Sequence, residues 1–328
     1  MTVNHKQNLR VLFTGVNSGV LSEATHLKWL SSISETMGLK ICSSVEERPD
    51  LLICVDYHPR YSAVIREASQ LGIPRVLIKQ EPDVVFPWHA NPKLDKRFSI
   101  VINRGHSDNT PIFNSYVNWD TSHIQNSNRK NRVVAITADK WSFVPGELYS
   151  LRREAYSKND LVDVYGYGWD ATKAEQISRL IKEASISVIY GFRPTLKNLA
   201  FAFDDPLNYL GQTSDKLRTL SAYKASLVIE NDQSKMSEKL LDCILTGTIP
   251  VYVGPPPEKF MIPSGLVVKA DHSLRGITAG IDIAMGIDSD EYRGKAQNWL
   301  EKSDTKEAWA AEIVGKKILT EIISSLSL

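Results

Sequence analysis

The chain has 328 residues, 42% of them hydrophobic and 23% charged, with 39 basic side chains against 38 acidic ones. That length exceeds one ordinary core, so two domains are expected. The near-zero charge balance excludes a broad nucleic-acid-binding or anionic-membrane-binding surface, though not a local basic pocket.

The cysteines, Cys42, Cys54 and Cys243, sit at spacings that give neither a disulfide framework nor a zinc site. They read as reduced structural thiols. The opening MTVNHKQNLR is polar and lacks the apolar region of a signal peptide. No apolar run approaches the ~18 residues of a membrane span. The chain as given is expected to be cytoplasmic, with no signal peptide and no transmembrane helix; peripheral association with a membrane stays open.

Residues 10–16, RVLFTGV, form a short apolar run ending at Gly15 and Asn17, suited to a buried first strand. Helical spacing of Leu27, Leu30 and Ile33 predicts a helix over 22–37. A strand is expected at 50–56, a helix at 59–71, and strands at 74–79 and 98–103. Alternation of strand and helix implies a parallel sheet covered on both faces. Ligands of such sheets bind beyond the carboxyl ends of the strands.

Two strand ends carry chemistry. Asp56-Tyr57-His58 closes the second strand and Gln80-Glu81-Pro82 the third. Pro82 holds Glu81 in an extended or turn conformation, where a general base has access to a substrate; a solvated loop carboxylate is the plain alternative. His58 reads as a hydrogen-bonded loop histidine. Pro87-Trp88-His89 suits stacking on a sugar or simple loop packing, and the sequence does not choose. The seven histidines show no HExxH or HxxxH pattern, and no GxSxG elbow or GxxxxGK[ST] loop occurs. No metal site is expected.

Residues 104–130 are polar and interrupted, as a connection between domains would be. A second α/β series follows: a strand at 132–137, a helix at 146–158, a strand at 161–165 ending in Gly166 and Gly168, a helix at 171–184, a short helix at 216–223 and a strand at 225–229. Arg152 and Arg153 lie on the first of these helices. Guanidinium groups suit bidentate phosphate binding, but neighbours on a helix point about 100° apart, so one of the two is expected to face a ligand. A solvated basic face is the alternative.

Residues 223–257, YKASLVIENDQSKMSEKLLDCILTGTIPVYVGPPP, read as strand, polar loop, helix, strand and Gly/Pro turn. Ser237 caps a helix that starts at Glu238. Leu240, Leu241, Ile244 and Leu245 form its buried face, and Gly247 ends it. The free N–H groups at its start suit a diphosphate, and Lys239 adds a full charge. A carboxylate beside phosphates needs another task, and accepting from ribose hydroxyls fits Glu238; an acidic first turn is also ordinary for a helix. Further on, Asp288-Ser289-Asp290 matches a metal-binding DxD pattern but also, with Glu291, a helix-capping pair, which is the preferred reading. Residues 306–324 predict a terminal amphipathic helix bearing Trp309, Ile313, Ile318 and Ile322. The expected division is 1–125, 126–305 and a C-terminal helix at 306–328.

YKASLVIEN, five residues, then SEKLLDCILTGTIPVYVG closely resembles the C-terminal signature of the α-1,3/α-1,4-fucosyltransferase family, glycosyltransferase family 10. LRREAYSKNDLVDVYG resembles that family's arginine-bearing helix, and RVLIKQEP its N-terminal strand ending in an acidic residue and proline. The resemblance spans roughly residues 74–260. It implies an α/β GT-B fold, two Rossmann-like domains facing across a cleft. It also implies GDP-fucose as donor, and transfer with inversion to a glycan hydroxyl, the 3- or 4-OH of GlcNAc or Glc, without an essential metal or other cofactor. By resemblance, Glu81 is the general base, Glu238 holds ribose, and Lys239 and Arg153 (or Arg152) hold phosphate. Glu230, Asn231, Lys235, Ser237 and Gly254 join the donor set. Tyr57, Trp88 and His89 are the acceptor candidates. The chain departs from the signature at Lys235, where the family carries a tyrosine, and at Thr137-Ala138-Asp139, where many members carry a Ser-Asn pair. Another nucleotide sugar, or binding without catalysis, stays open.

Overall fold

The computed structural model describes residues 9–15, 33–103, 119–193, 199 and 202–328. The chain divides into two compact units, Met1–Asn118 with Lys306–Leu328, and Trp119–Thr305.

In the first unit β1 (Arg10–Gly15), β2 (Lys40–Cys42), β3 (Leu51–Val55), β4 (Arg75–Lys79) and β5 (Ile100–Asn103) form a parallel sheet in the order β2-β1-β3-β4-β5. All five residues of β3 are buried, because a sheet covered on both faces needs apolar side chains on both. Helix Ser62–Gln70 returns the chain from β3 to β4 and buries Ile65 and Ala68. The core joins Val11, Phe13, Ile53 and Val76 to Val314, Ile318, Leu319, Ile322 and Ile323 from the far end of the sequence. β2, only three residues long, was not expected. Asn17, Leu27 and Leu30 lie outside the described residues, as do 104–118 of the expected connection.

The terminal helix expected over 306–324 is two helices, Ser303–Trp309 and Ala311–Ser325, separated by Ala310 at φ −61°, ψ 121°. In one continuous helix Trp309 would point roughly 130° from the midline of the buried stripe at 100° per residue. The break lets Trp309 and the stripe both be buried.

The second unit holds β6 (Lys130–Ile136), β7 (Val162–Tyr165), β8 (Asn208–Tyr209), β9 (Tyr223–Ile229), β10 (Ile249–Val253) and β11 (Val268–Lys269), all paired in parallel in the order β11-β10-β9-β6-β7-β8. Counted within the unit this is 3-2-1-4-5-6 read from the other edge, the doubly wound order of dinucleotide-binding sheets. The order reverses between β6 and β9, so a crevice is expected beyond their carboxyl ends. β8 and β11 have two residues each and were not expected. The first helix runs Tyr149–Lys158 rather than from 146, because Glu147 closes its start by accepting from Ser150 N–H and Oγ. The second runs Lys173–Ile189, set by a Thr172–Glu175 capping box. Asp288 accepts from the N–H groups of Asp290 and Glu291, so the DxD stretch is a helix cap. A Cβ at Gly166, φ +141°, would lie 1.9 Å from the Thr137 carbonyl oxygen, so only glycine fits where β7 leaves the sheet beside β6.

Candidate functional site

The residues between β9 and helix Glu238–Leu245 are folded by two carboxylates. Glu230 follows β9 directly; its N–H donates to the Val253 carbonyl at 2.9 Å, and its Oε1 accepts from Ser237 N–H at 2.8 Å. Its side chain is buried, and burial raises the carboxyl above its ordinary range while Lys239 and Ser237 pull it down. Asp232 Oδ1 accepts from the N–H groups of Ser234 and Lys235, at 2.8 and 3.1 Å. These bonds close the turn and bury Lys235 within it. Ser237 caps the helix, and Lys239 Nζ donates to its Oγ at 2.9 Å. The helix start is thus delivered to the carboxyl end of β9, with its positive dipole end beside the topological switch.

Leu240, Leu241, Ile244 and Leu245 are buried as expected, and so is Asp242. Sequence reasoning missed the partner of that acid. Lys216, the first residue of helix Lys216–Ser221, donates to Glu238 Oε1 at 3.1 Å and forms an ion pair with Asp242 Oδ2. Glu238 and Asp242 are one helical turn apart and share a side. Two acids at that spacing on an apolar helix were the signal available in the sequence, since buried charge requires a counter-charge. Burial works to raise the Glu238 carboxyl, but Lys216 and Lys239 outweigh it and hold it well below its ordinary range. For Asp242 burial prevails over Lys216 and the carboxyl stays above its ordinary range. Glu238 is therefore an ionised acceptor at the helix start.

One of Arg152 and Arg153 was expected to face a ligand, with a solvated basic face as the alternative; both are buried, so the face is not a solvated one. They meet protein on two flanks of helix Tyr149–Lys158. On one, the Arg152 guanidinium spans the switch point: Nε and Nη2 donate to the Ile229 carbonyl at 2.9 and 2.6 Å, Nη1 to Thr137 Oγ1 at 3.3 Å, and Nη2 to Asn231 Oδ1 at 2.9 Å. Arg152 and Asn231 thereby tie the ends of β6 and β9. On the other, Arg153 pairs with Asp139, and its guanidinium lies 4.3 Å from the Trp141 ring centre and 5.5 Å from that of Trp169. Burial pushes Arg153 down to about 10, with Asp139 opposing.

Gly254 follows β10 where space is short. A Cβ there would lie 2.5 Å from Tyr252 Oη and 2.7 Å from Glu230 Cγ. Lys216 and Lys239 border a void of about 10 Å³, room for one water. A larger pocket of about 520 Å³ opens among the loops that follow β6, β9 and β11, lined by Phe143, Gly146, Glu147, Arg193, Gln233 and His272 among others. Gln233 Nε2 and His272 Nδ1 lie 2.7 Å apart there. None of the donor residues expected from sequence lines that larger pocket.

In the first unit Asp56, at φ +49°, accepts on Oδ1 from the N–H groups of Gln80 and Glu81 at 2.7 and 3.0 Å. This fixes the half-buried Glu81 just beyond the carboxyl end of β4. His58 Nδ1 accepts from Arg60 N–H at 3.2 Å, as a loop histidine would. Tyr57, Trp88 and His89 are buried together. Trp88 Nε1 donates to the Tyr57 carbonyl at 2.5 Å, and the Trp88 ring stacks on Phe86 with centres 5.3 Å apart. Their rings pack the loop beside Glu81.

Among the described residues no group of three or more His, Cys, Asp and Glu side chains is placed to hold a metal ion, and no helix is long and apolar enough to cross a membrane.

No family model and no curated protein matches the chain. Solved structures do. An α1,3-fucosyltransferase aligns at a TM-score of 0.58 and 15% identity, over 100% of this chain and 92% of that one. Anabaena HepE, in complex with UDP and glucose, aligns at 0.59 and 13%, over 97% and 100%. A UDP-forming α,α-trehalose-phosphate synthase from Burkholderia xenovorans aligns at 0.52 and 10%, over 90% and 77%. At these identities the likeness is one of fold: two α/β units with parallel sheets, the GT-B architecture.

Proposed function

We propose that the protein is a glycosyltransferase whose second unit binds a nucleotide-diphosphate sugar, and that the sugar is fucose carried by GDP. The observation that supports this most directly is the start of helix Glu238–Leu245. It brings the positive end of the helix dipole, Lys239 and the ionised Glu238 to the carboxyl end of β9, beside the switch point. Lys239 and the helix dipole stabilise the diphosphate, and Glu238 accepts from the ribose hydroxyls. The acceptor is a glycan hydroxyl, the 3- or 4-OH of GlcNAc or Glc. Glu81 removes its proton as the oxygen attacks the anomeric carbon; the bond from that carbon to the diphosphate breaks, inverting the centre, and GDP departs with the electron pair. The scheme requires no divalent ion, because Lys239 and the helix start supply the positive charge. The choice of fucose rests on the resemblance of residues 223–257 to the fucosyltransferase signature and on the likeness to an α1,3-fucosyltransferase.

A second donor is favoured by one residue and one likeness. Lys235 stands where the signature has tyrosine, and Anabaena HepE, bound to UDP and glucose, is as close in fold. A nucleotide-release assay with GDP-fucose and UDP-glucose, run against a panel of oligosaccharide acceptors, decides between them. Acceptor-dependent GDP release that disappears in Lys239→Ala is the expected result. UDP release identifies the second donor, and nucleotide binding without release makes the protein a sugar-nucleotide-binding module.

A further inference from the structure

We propose that Lys216 is a positioning residue for the nucleotide ribose: it engages one carboxylate oxygen of Glu238 and thereby presents the other to the ribose hydroxyls. This rests on the assignment of Glu238 to the ribose under the proposed function. Glu238 alone is a poor fixed acceptor, because its side chain has several rotatable bonds to order on binding. The Lys216 ammonium meets Oε1 at 3.1 Å. It also forms an ion pair with Asp242, whose side chain is 6% exposed against 27% for Glu238. Asp242 thus anchors the ammonium from the protein side, and Glu238 extends from it toward solvent.

The backbone carrying Lys216 is set as well. Asp215 caps helix Lys216–Ser221, its carboxylate accepting from Arg218 N–H at 2.9 Å. That helix packs on helix Glu238–Leu245. Lys239 does not do the same work, because its Nζ donates to Ser237 Oγ. An exposed Lys–Glu pair would be worth little. A lysine held by a buried aspartate is ordered before ligand arrives, so the ordering entropy is not charged to binding.

The test compares GDP with 2′,3′-dideoxy-GDP by calorimetry, or the corresponding UDP pair if UDP binds more tightly. The unaltered protein should prefer the ribonucleotide. Lys216→Met should weaken ribonucleotide binding about tenfold, the worth of a hydrogen bond to a charged group, and leave the dideoxy nucleotide unchanged. Glu238→Gln should likewise collapse the preference, and Lys216→Arg should retain it. Equal weakening of both nucleotides, or of neither, overturns the proposal, since a purely structural lysine has no reason to sense ribose hydroxyls. If Lys216→Met strands Asp242 and fails to fold, Lys216→Met/Asp242→Leu replaces the buried pair with apolar groups and carries the same expectation. No preference in the unaltered protein removes the ribose role of Glu238 and the proposal with it. No binding of either nucleoside diphosphate removes the functional reading itself.

Discussion

Arg153 and Asp139 form an ion pair that solvent barely reaches, their side chains 2% and 1% exposed. Family resemblance assigns this arginine to phosphate, whereas the geometry commits it to Asp139 and to the faces of Trp141 and Trp169. Arg153→Met should lower unfolding free energy by about 3–5 kcal/mol in urea titration, because it leaves a buried carboxylate without its counter-charge. Arg153→Met/Asp139→Leu should recover most of that loss. In the recovered protein nucleotide affinity should be unchanged; a loss of affinity there would return Arg153 to the ligand.

Gly254→Ala should be costly for a steric reason. The new methyl meets Tyr252 Oη and Glu230 Cγ, both on buried side chains. Overpacking of this kind costs about 1–3 kcal/mol. Adding Tyr252→Phe removes the nearest atom, so the double variant should melt above Gly254→Ala alone in a thermal scan.

Lys239→Ala and Glu81→Gln should separate binding from chemistry. Loss of Lys239 should weaken nucleotide affinity and reduce turnover by roughly 10²–10³, as for other single charge-stabilising contacts. Loss of the Glu81 carboxylate should reduce turnover by roughly 10²–10⁴ with nucleotide affinity intact. Calorimetry beside the release assay distinguishes the two patterns, and wild-type turnover in both variants would remove the mechanism.

Acid should dismantle the Glu238 contacts selectively. The folded carboxyl is held below its ordinary value of 4.5, so its contribution to stability is complete above that value and declines as pH falls. Glu230 and Asp139 are raised and act in the opposite sense, so the whole-protein acid curve mixes both. The difference in stability between the unaltered protein and Glu238→Gln isolates the first. It should be largest near neutrality and shrink below about pH 4.5.

The legible parts of the fold carry local signals. β9, β10 and the helix between them announce themselves by continuous apolar runs, by Ser237 at the cap and by Gly247, whose φ is +65°. β2, β8 and β11 have two or three residues each, too few to show a period, and exist because a neighbouring edge offers hydrogen bonds. At the site, Ser237 and Lys239 were readable from capping and charge. Lys216 was not, since it meets Glu238 across 22 residues of sequence. Nor was the Arg152 bridge, whose acceptors lie 15, 77 and 79 residues away and are fixed only when the sheet assembles.

The helix Ala311–Ser325 completes the core of a unit whose first strand is Arg10–Gly15. Everything the second unit needs, Trp119–Thr305, leaves the ribosome before that helix does. Domains generally fold as units during synthesis, so the later-encoded sheet is free to mature first. Until helix Ala311–Ser325 emerges, Val11, Phe13, Ile53 and Val76 lack part of their cover. A chain cut short near residue 305 thus keeps every residue of the second unit but leaves part of the first unit's apolar core uncovered.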